Sequence, residues 1–197
     1  NTQPNMPAWG GKHSRIGNNP FIVAIPRKEG HVVLDMAISQ FAFGKIKDYK
    51  LRKKKLPYPG GWDEHDQLSN DPEKIYDDQR GLPIGYWKGS ALSMILDMLA
   101  TLLSAGDSTG KIGAKGFESG ISQVYLCINP KTFGDVDILA RLLNEIIDYT
   151  HDVEPMHPGD RTYYPGERTL QTRAKNSKVG IPVSEEVWEE VMSLLEK

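Results

Sequence analysis

Residues 91–103 form the longest strongly apolar stretch of the 197-residue chain. The stretch contains Asp97 and is too short to span a bilayer, so protein has to cover it. Gly89-Ser90 opens it as a helix, and Gly106 ends it. Leu92, Met94, Ile95, Leu96, Met98, Leu99, Leu102 and Leu103 occupy nearly the whole circumference. A helix of that kind is expected to be buried in a domain or in an oligomer interface.

The length corresponds to one ordinary domain or two small ones. Around the apolar helix, the pattern is mixed. Residues 1–20 read as loop, punctuated by Pro and Gly. Phe21–Ile25 and His31–Ala37 are rich in β-branched residues and read as strands joined by the turn Pro26–Gly30. Their near-continuous apolar character predicts a sheet covered on both faces. Ser39 is placed as the cap of a helix whose face carries Phe41, Ala42, Ile46 and Tyr49. That helix runs into the basic Lys50–Lys55, most simply a solvated last turn. Residues 56–83 carry many breakers and read as a functional excursion or a packed surface loop. Ile121–Ile128 reads as a third strand. Asp135 caps an amphipathic helix with Leu139, Leu142, Leu143, Ile146 and Ile147 on one stripe. Helices follow from about Gly166 to Lys178, and from a Ser184 cap to the end, with Val187, Trp188, Val191, Met192 and Leu195 inward.

Lys and Arg number 24 against 26 Asp and Glu. A balance this close to neutral provides no overall field for a nucleic-acid backbone. Cys127 is the only cysteine, which excludes an internal disulfide and a Cys-rich zinc site and makes a reducing, cytoplasmic setting the default. No signal peptide opens the chain and no segment is a membrane span. The opening Asn1, in place of Met, suggests a processed product or a fragment.

Chemistry concentrates at Gly85-Tyr86-Trp87-Lys88-Gly89-Ser90. A helix start beside a cation suits a phosphate or carboxylate, and Trp87 offers a face for stacking. A solvated Lys88 and a Trp87 that merely staples the helix are equally good readings. The segment is not a P-loop, and the glycine fingerprint of a Rossmann site is absent. Asp35, towards the end of its strand, could accept from a ribose or cap a turn, the commoner use. His13 lies beside Lys12 and Arg15, a corner suited to an anion. His151, Asp152, Glu154, His157 and Asp160 could hold a divalent ion, although a solvated linker is the better reading.

Asn5–Gly11, Arg15–Pro20, Val33–Ala37, Leu82–Ser90 and Tyr164–Glu167 occur in an order and spacing that carry further. Through them the chain resembles the non-Rossmann malate/lactate dehydrogenase family of nicotinamide-dependent 2-oxoacid reductases, over essentially its whole length. The form at Gly85–Ser90 is similar to that of the branch acting on 2,3-diketo-L-gulonate. The resemblance implies a mixed α/β fold, a central mixed sheet packed with helices, of non-Rossmann topology. It implies a cofactor-binding region over 1–150, with the excursion at 56–83, and a linker with helices over 151–197 packing back on it. It also implies a dinucleotide held by His31, Val32, Val33, Leu34, Asp35, Met36 and Ala37, by Trp87 and Lys88, and by Gly166, Glu167 and Arg168. Relatives carry Gly-His-Glu where this chain has Gly166-Glu167-Arg168, so Arg168 could meet a phosphate instead. The family's general acid is a histidine in a Ser-His-Gly motif, which these residues lack. The proton donor is therefore expected outside the segment, with His13 a weaker choice.

The expected activity is NAD(P)H-dependent reduction of a small 2-oxo acid, most simply 2,3-diketo-L-gulonate, in a homodimer. Asp35 favours NADH over NADPH, because a carboxylate disfavours a 2′-phosphate. A malate-, lactate- or sulfolactate-type dehydrogenase is the alternative within the family. A non-catalytic dinucleotide-binding module is the alternative outside it. The loop from Trp9 to Arg15 is expected to border the substrate.

Overall fold

The computed structural model describes residues 1–195. They form seven α-helices and three two-stranded sheets, a mixed α/β architecture. In place of one central sheet, the strands pair off in twos, β1 with β2, β3 with β4 and β5 with β6. Two compact units result, one from Asn1–Ile22 and Asp35–Ile128, the other from Val23–Leu34 and Asn129–Lys197.

In the first unit, β1 (Pro4–Pro7) pairs antiparallel with β2 (Ser14–Gly17). This corrects the loop reading of residues 1–20. The two prolines of β1 occupy its ends, where a missing N–H disturbs the ladder least. Met6 between them is fully buried and Ile16 nearly so. The helix α3 (Trp87–Ser104) packs on β2, but not with its large side chains. Its buried positions are Gly89, Ser90, Ser93 and Ala100, spaced at helical intervals. Small residues let the two backbones approach closely, and a polar staple joins them there. Asn19 Nδ2 donates to the Ser93 carbonyl at 2.8 Å, and the Ser93 hydroxyl donates to the Gly17 carbonyl at 2.6 Å. Leu99, Leu102 and Leu103 face outward, Leu102 being 77% exposed. Burial of this helix within the domain, one of the two expectations, is therefore not met among the described residues. On β1 and β2 also packs α4 (Thr109–Ala114), which buries Ile112 completely.

A second cluster of the same unit joins Phe41, Ile46, Leu56 and Ile75. It lies between α1 (Phe43–Leu51) and α2 (Pro72–Asp77). Ile46 and Tyr49 use the face expected of them, but Ser39 is not the cap. Its backbone bridges Pro83, and α1 begins after Ala42 without a side-chain cap. The basic run is solvated and paired, with Lys50 on Asp77 at 2.5 Å and Arg52 on Asp48 at 2.8 Å. The stretch 56–83 is structured, not an irregular excursion. It forms β5 (Gly61–Trp62), β6 (Leu68–Ser69) and α2, and it buries Leu56, Ile75 and Leu82. Elements of two to six residues are too short to show a period. Ile121–Ile128 is no strand. It has no pairing partner among the described residues, and Tyr125 and Leu126 are more than four-fifths exposed. A strand is stable only against a neighbour, whatever its propensity.

β3 (Phe21–Ile25) pairs with β4 (Val32–Met36), as the pattern predicts, and Val23–Leu34 of this hairpin belong to the second unit. All five residues of β3 are exposed, so this sheet is not covered on both faces. Asp135 caps α5 (Val136–His151), accepting from the Asp137 amide at 2.8 Å. Leu139, Leu143, Ile147 and His151, four apart, are its less exposed positions, while Leu142 and Ile146 lie open. The chain continues through α6 (Glu167–Val179) and α7 (Glu185–Ser193). Ser184 stands at the start of α7 but makes no capping hydrogen bond, and Val187, Trp188, Val191, Met192 and Leu195 are all exposed. No helix among the described residues is long and apolar enough to cross a membrane.

Ile75 is the side chain on which α1 and α2 close. The substitution Ile75→Ala is expected to cost about 2–5 kcal/mol of unfolding free energy in a urea titration.

Candidate cofactor site

The turn before α6 is built around Gly166, whose φ of +91° is in the left-handed region. A Cβ there would stand 3.0 Å from the Val33 nitrogen, in a backbone conformation that L side chains avoid. Val33 N–H donates to the Pro165 carbonyl at 2.9 Å. Strand β4 and the start of α6 are thus joined directly. Two of the three segments expected at the cofactor, His31–Leu34 and Gly166–Arg168, meet in one place.

Glu167 follows, nine-tenths buried. Its carboxylate faces inward. His151 Nε2 lies 3.0 Å from Oε2, the Tyr164 amide donates to Oε2 at 3.2 Å, and the Arg161 guanidinium holds Oε1. His151 reaches this carboxylate because it ends the inner line of α5. Glu167 therefore locks the turn and is not free for a ligand. Arg168 points the other way. Its guanidinium lies 4.9 Å from the Tyr163 ring centroid, and that of Arg161 lies 4.6 Å from the same centroid. Two cations gathered over one exposed ring form a basic edge next to the helix start.

The amides of this start decide what it can hold. Glu167 N–H donates to the Tyr164 carbonyl at 3.1 Å. Those of Arg168 and Thr169 have no acceptor among the described residues. Free N–H groups at the positive end of a 13-residue helix, with an arginine beside them, suit a phosphate group.

The start of α3 differs. The helix begins at Trp87, two residues earlier than its sequence indicates, so Lys88 lies inside the first turn. The amides of Lys88, Gly89 and Ser90 donate to the carbonyls of Gly85, Ile84 and Tyr86 at 3.2, 2.9 and 3.2 Å. These three amides are closed by the chain itself, while that of Trp87 has no acceptor among the described residues, so the expectation of free N–H groups is met by one amide only. Gly89 is glycine because an added Cβ would overlap the Ile84 carbonyl, not because a ligand approaches it. Beside that free amide stand two side chains: Trp87, 60% exposed, and Lys88, whose Nζ lies 5.9 Å from the Trp87 ring centroid. Asp35 is exposed and has no hydrogen-bond or ion-pair partner among the described residues. Asp35, Met36, Ala37, Trp87 and Lys88 belong to the first unit, and the other expected residues to the second.

Three residues that the sequence did not single out come together in the first unit. Trp62, Asp66 and Arg80 meet the loop of Trp9 and Lys12 around an open cleft of about 430 Å³. The Trp9 and Trp62 ring centroids are 6.2 Å apart and inclined at 47°. Arg80, 8% exposed, donates to Asp66 at 2.6 Å and to the Asp63 carbonyl at 2.6 Å. Lys12 reaches Asp66 at 3.2 Å. The Arg80 guanidinium, and then Lys12, hold the Asp66 carboxyl below its ordinary value, so it stays ionised. Only tertiary contact reveals this group, since its members are spread over 70 residues of chain.

Two of the five histidines are held by local contacts. His31 Nδ1 accepts from the Arg27 amide at 3.2 Å, and His151 serves Glu167. Lys12 turns to Asp66 and Arg15 to the Ser14 carbonyl, so the anion corner around His13 is not assembled. No group of three metal-capable side chains occurs among the described residues, and His151–Asp160 does not converge.

A family model described as malate/L-lactate dehydrogenase matches residues 1–192. A 2,3-diketo-L-gulonate reductase of Pasteurella multocida is 38% identical over 190 residues, covering 96% of this chain and 57% of the relative. One of Mannheimia succiniciproducens is 37% identical over the same extent. Among solved structures, sulfolactate dehydrogenase from Methanocaldococcus jannaschii aligns with a TM-score of 0.76 at 27% identity, over 96% of this chain and 55% of that one. Malate dehydrogenase from Entamoeba histolytica aligns with a TM-score of 0.85 at 21% identity, over 98% of this chain and 58% of that one, a likeness of fold alone. The chain spans a little over half the length of these relatives.

Gly166→Ala places a Cβ against β4 in a conformation that costs about 1–3 kcal/mol. It is expected to lower the stability of the protein by that amount in denaturant unfolding.

Proposed function

Since the chain belongs to the malate/L-lactate dehydrogenase family, we propose that it is the dinucleotide-binding part of a nicotinamide-dependent reductase of 2-oxo acids. The observation that carries the reading is the start of α6. Arg168 and Thr169 present unpaired amides beside a basic edge, on a turn tied to β4. Those are the groups that would hold the cofactor's diphosphate. His31–Leu34 supply the strand next to that turn. Glu167, turned inward, keeps the turn in shape and leaves the anion to its neighbours. On the first unit, Lys88, Trp87, Met36 and Ala37 are the residues proposed to meet the dinucleotide, Lys88 as a cation and Trp87 as a flat apolar face. Asp35, exposed and unpaired among the described residues, is the proposed acceptor for ribose hydroxyls, which favours NADH over NADPH.

When bound, the nicotinamide supplies the hydride. The chain's own task is to bind and orient the dinucleotide and to keep its phosphates neutralised. The proton for the carbonyl oxygen must come from a donor in hydrogen-bond reach of it. His151 is committed to Glu167 and His31 to the Arg27 amide; the proposed donor is a histidine outside these residues, with His13 the weaker choice within them. The substrate proposed is 2,3-diketo-L-gulonate, supported by the 38% identity to a reductase of that compound. A homodimer is the proposed assembly, and the outward leucines of α3 supply apolar surface for one.

Calorimetric titration of the intact protein with NADH tests the reading. Binding is expected, and Arg168→Ala should weaken it about tenfold, the worth of one charge-assisted phosphate contact. An unchanged affinity in the variant would remove Arg168 from the site. No binding to the intact protein would remove the reductase reading.

A further inference from the structure

The cleft between Trp9 and Trp62 has the composition of a small-molecule pocket: aromatic walls, a few fixed polar groups, and a volume of about 430 Å³. We propose that it receives the hydroxylated end of a sugar-derived 2-oxo acid and sets the preference for such substrates over short ones. The proposal rests on the reductase reading above.

The walls argue for a carbon chain bearing both C–H and hydroxyl groups. The two indoles are tilted at 47° and make a corner, not a stack, so a flexible chain can lie against both faces. Neither ring is saturated by protein contact, Trp9 being 49% exposed. A purely apolar ligand would meet the wrong floor. Asp66 is fixed from two sides, by Arg80 on Oδ1 at 2.6 Å and Lys12 on Oδ2 at 3.2 Å. Each carboxylate oxygen has room for a further donor, so the floor accepts hydroxyls in a set direction. Two cations against one carboxylate also leave the cleft favourable to a molecule that is an anion overall. Arg80 is held there at a cost. Its Nε is buried without a partner among the described residues, an arrangement more expensive than an apolar side chain would be.

Position links the cleft to the reaction. Trp9 N–H donates to the Ser90 hydroxyl at 2.9 Å, and Tyr86 meets the Trp9 ring edge-on at 5.4 Å. Tyr86 holds a φ of +61°, a strained value for a tyrosine, and Trp87 and Lys88 follow it directly. The cleft is therefore built onto the first turn of α3, next to the side chains proposed to meet the cofactor. A site that hydrogen-bonds hydroxyls rejects analogues lacking them far better than an apolar pocket discriminates by size.

The test compares kcat/KM for 2,3-diketo-L-gulonate and for pyruvate, a 2-oxo acid with no hydroxylated end, in the intact protein and in Trp62→Ala. The ratio of the two values is expected to fall at least tenfold in the variant. An unchanged ratio overturns the proposal, even if both activities decline. Trp9→Ala, at a ring half open to solvent, takes its place should Trp62→Ala not fold. If the intact protein reduces neither acid, the reductase reading has failed, and the cleft is judged by binding alone. Titration with L-gulonate, followed by tryptophan fluorescence, should then show a saturable change that Trp62→Ala abolishes. Absence of any change at millimolar L-gulonate overturns the proposal.

Discussion

A single backbone hydrogen bond, from Val33 N–H to the Pro165 carbonyl at 2.9 Å, organises the second unit. It joins β4 to the turn that opens α6. It requires a glycine at 166, because any side chain there would meet Val33. The carboxylate of Glu167 then gathers His151, Arg161 and the Tyr164 amide behind the turn. A buried carboxylate with three donors is costly to disturb, since removing one partner leaves charge uncompensated. The turn is rigid for that reason, and rigidity is what makes its outward amides useful.

The starts of α3 and α6 illustrate how one motif has two uses. At α3, the carbonyls of Ile84, Gly85 and Tyr86 close the first turn, and Gly89 lets them come near. At that end of the helix only the Trp87 amide is left without an acceptor among the described residues, and the side chains of Trp87 and Lys88 are exposed. At α6, the preceding residues fold back through a carboxylate instead, and the amides of Arg168 and Thr169 stay open. The acid turns in and the base turns out.

Much of the local structure was legible in the residues. The strands β3 and β4, the Asp135 cap and the extents of α5 and α6 follow from β-branching, capping chemistry and period. Three kinds of feature were not. Elements of two to six residues, such as β5 and α2, lack the length for a period to show. Ile121–Ile128 has strand composition but no partner, and pairing is a tertiary property. The apolar surface of α3 suggested burial all round, whereas packing selected Ser90, Ser93 and Ala100, which permit the closest approach to β2. The expected cofactor residues came from family resemblance. The cleft of Trp9, Trp62, Asp66 and Arg80 could come only from the fold.

The central claim is that the amides of Arg168 and Thr169 receive the phosphates of the dinucleotide. Backbone amide resonances of the intact protein, followed through a titration with NADH, test it most directly. Both amides are expected to shift and to become protected from exchange as the cofactor saturates. If they remain unmoved and exchange as before at saturating NADH, the phosphates are held elsewhere and the account of this turn is wrong.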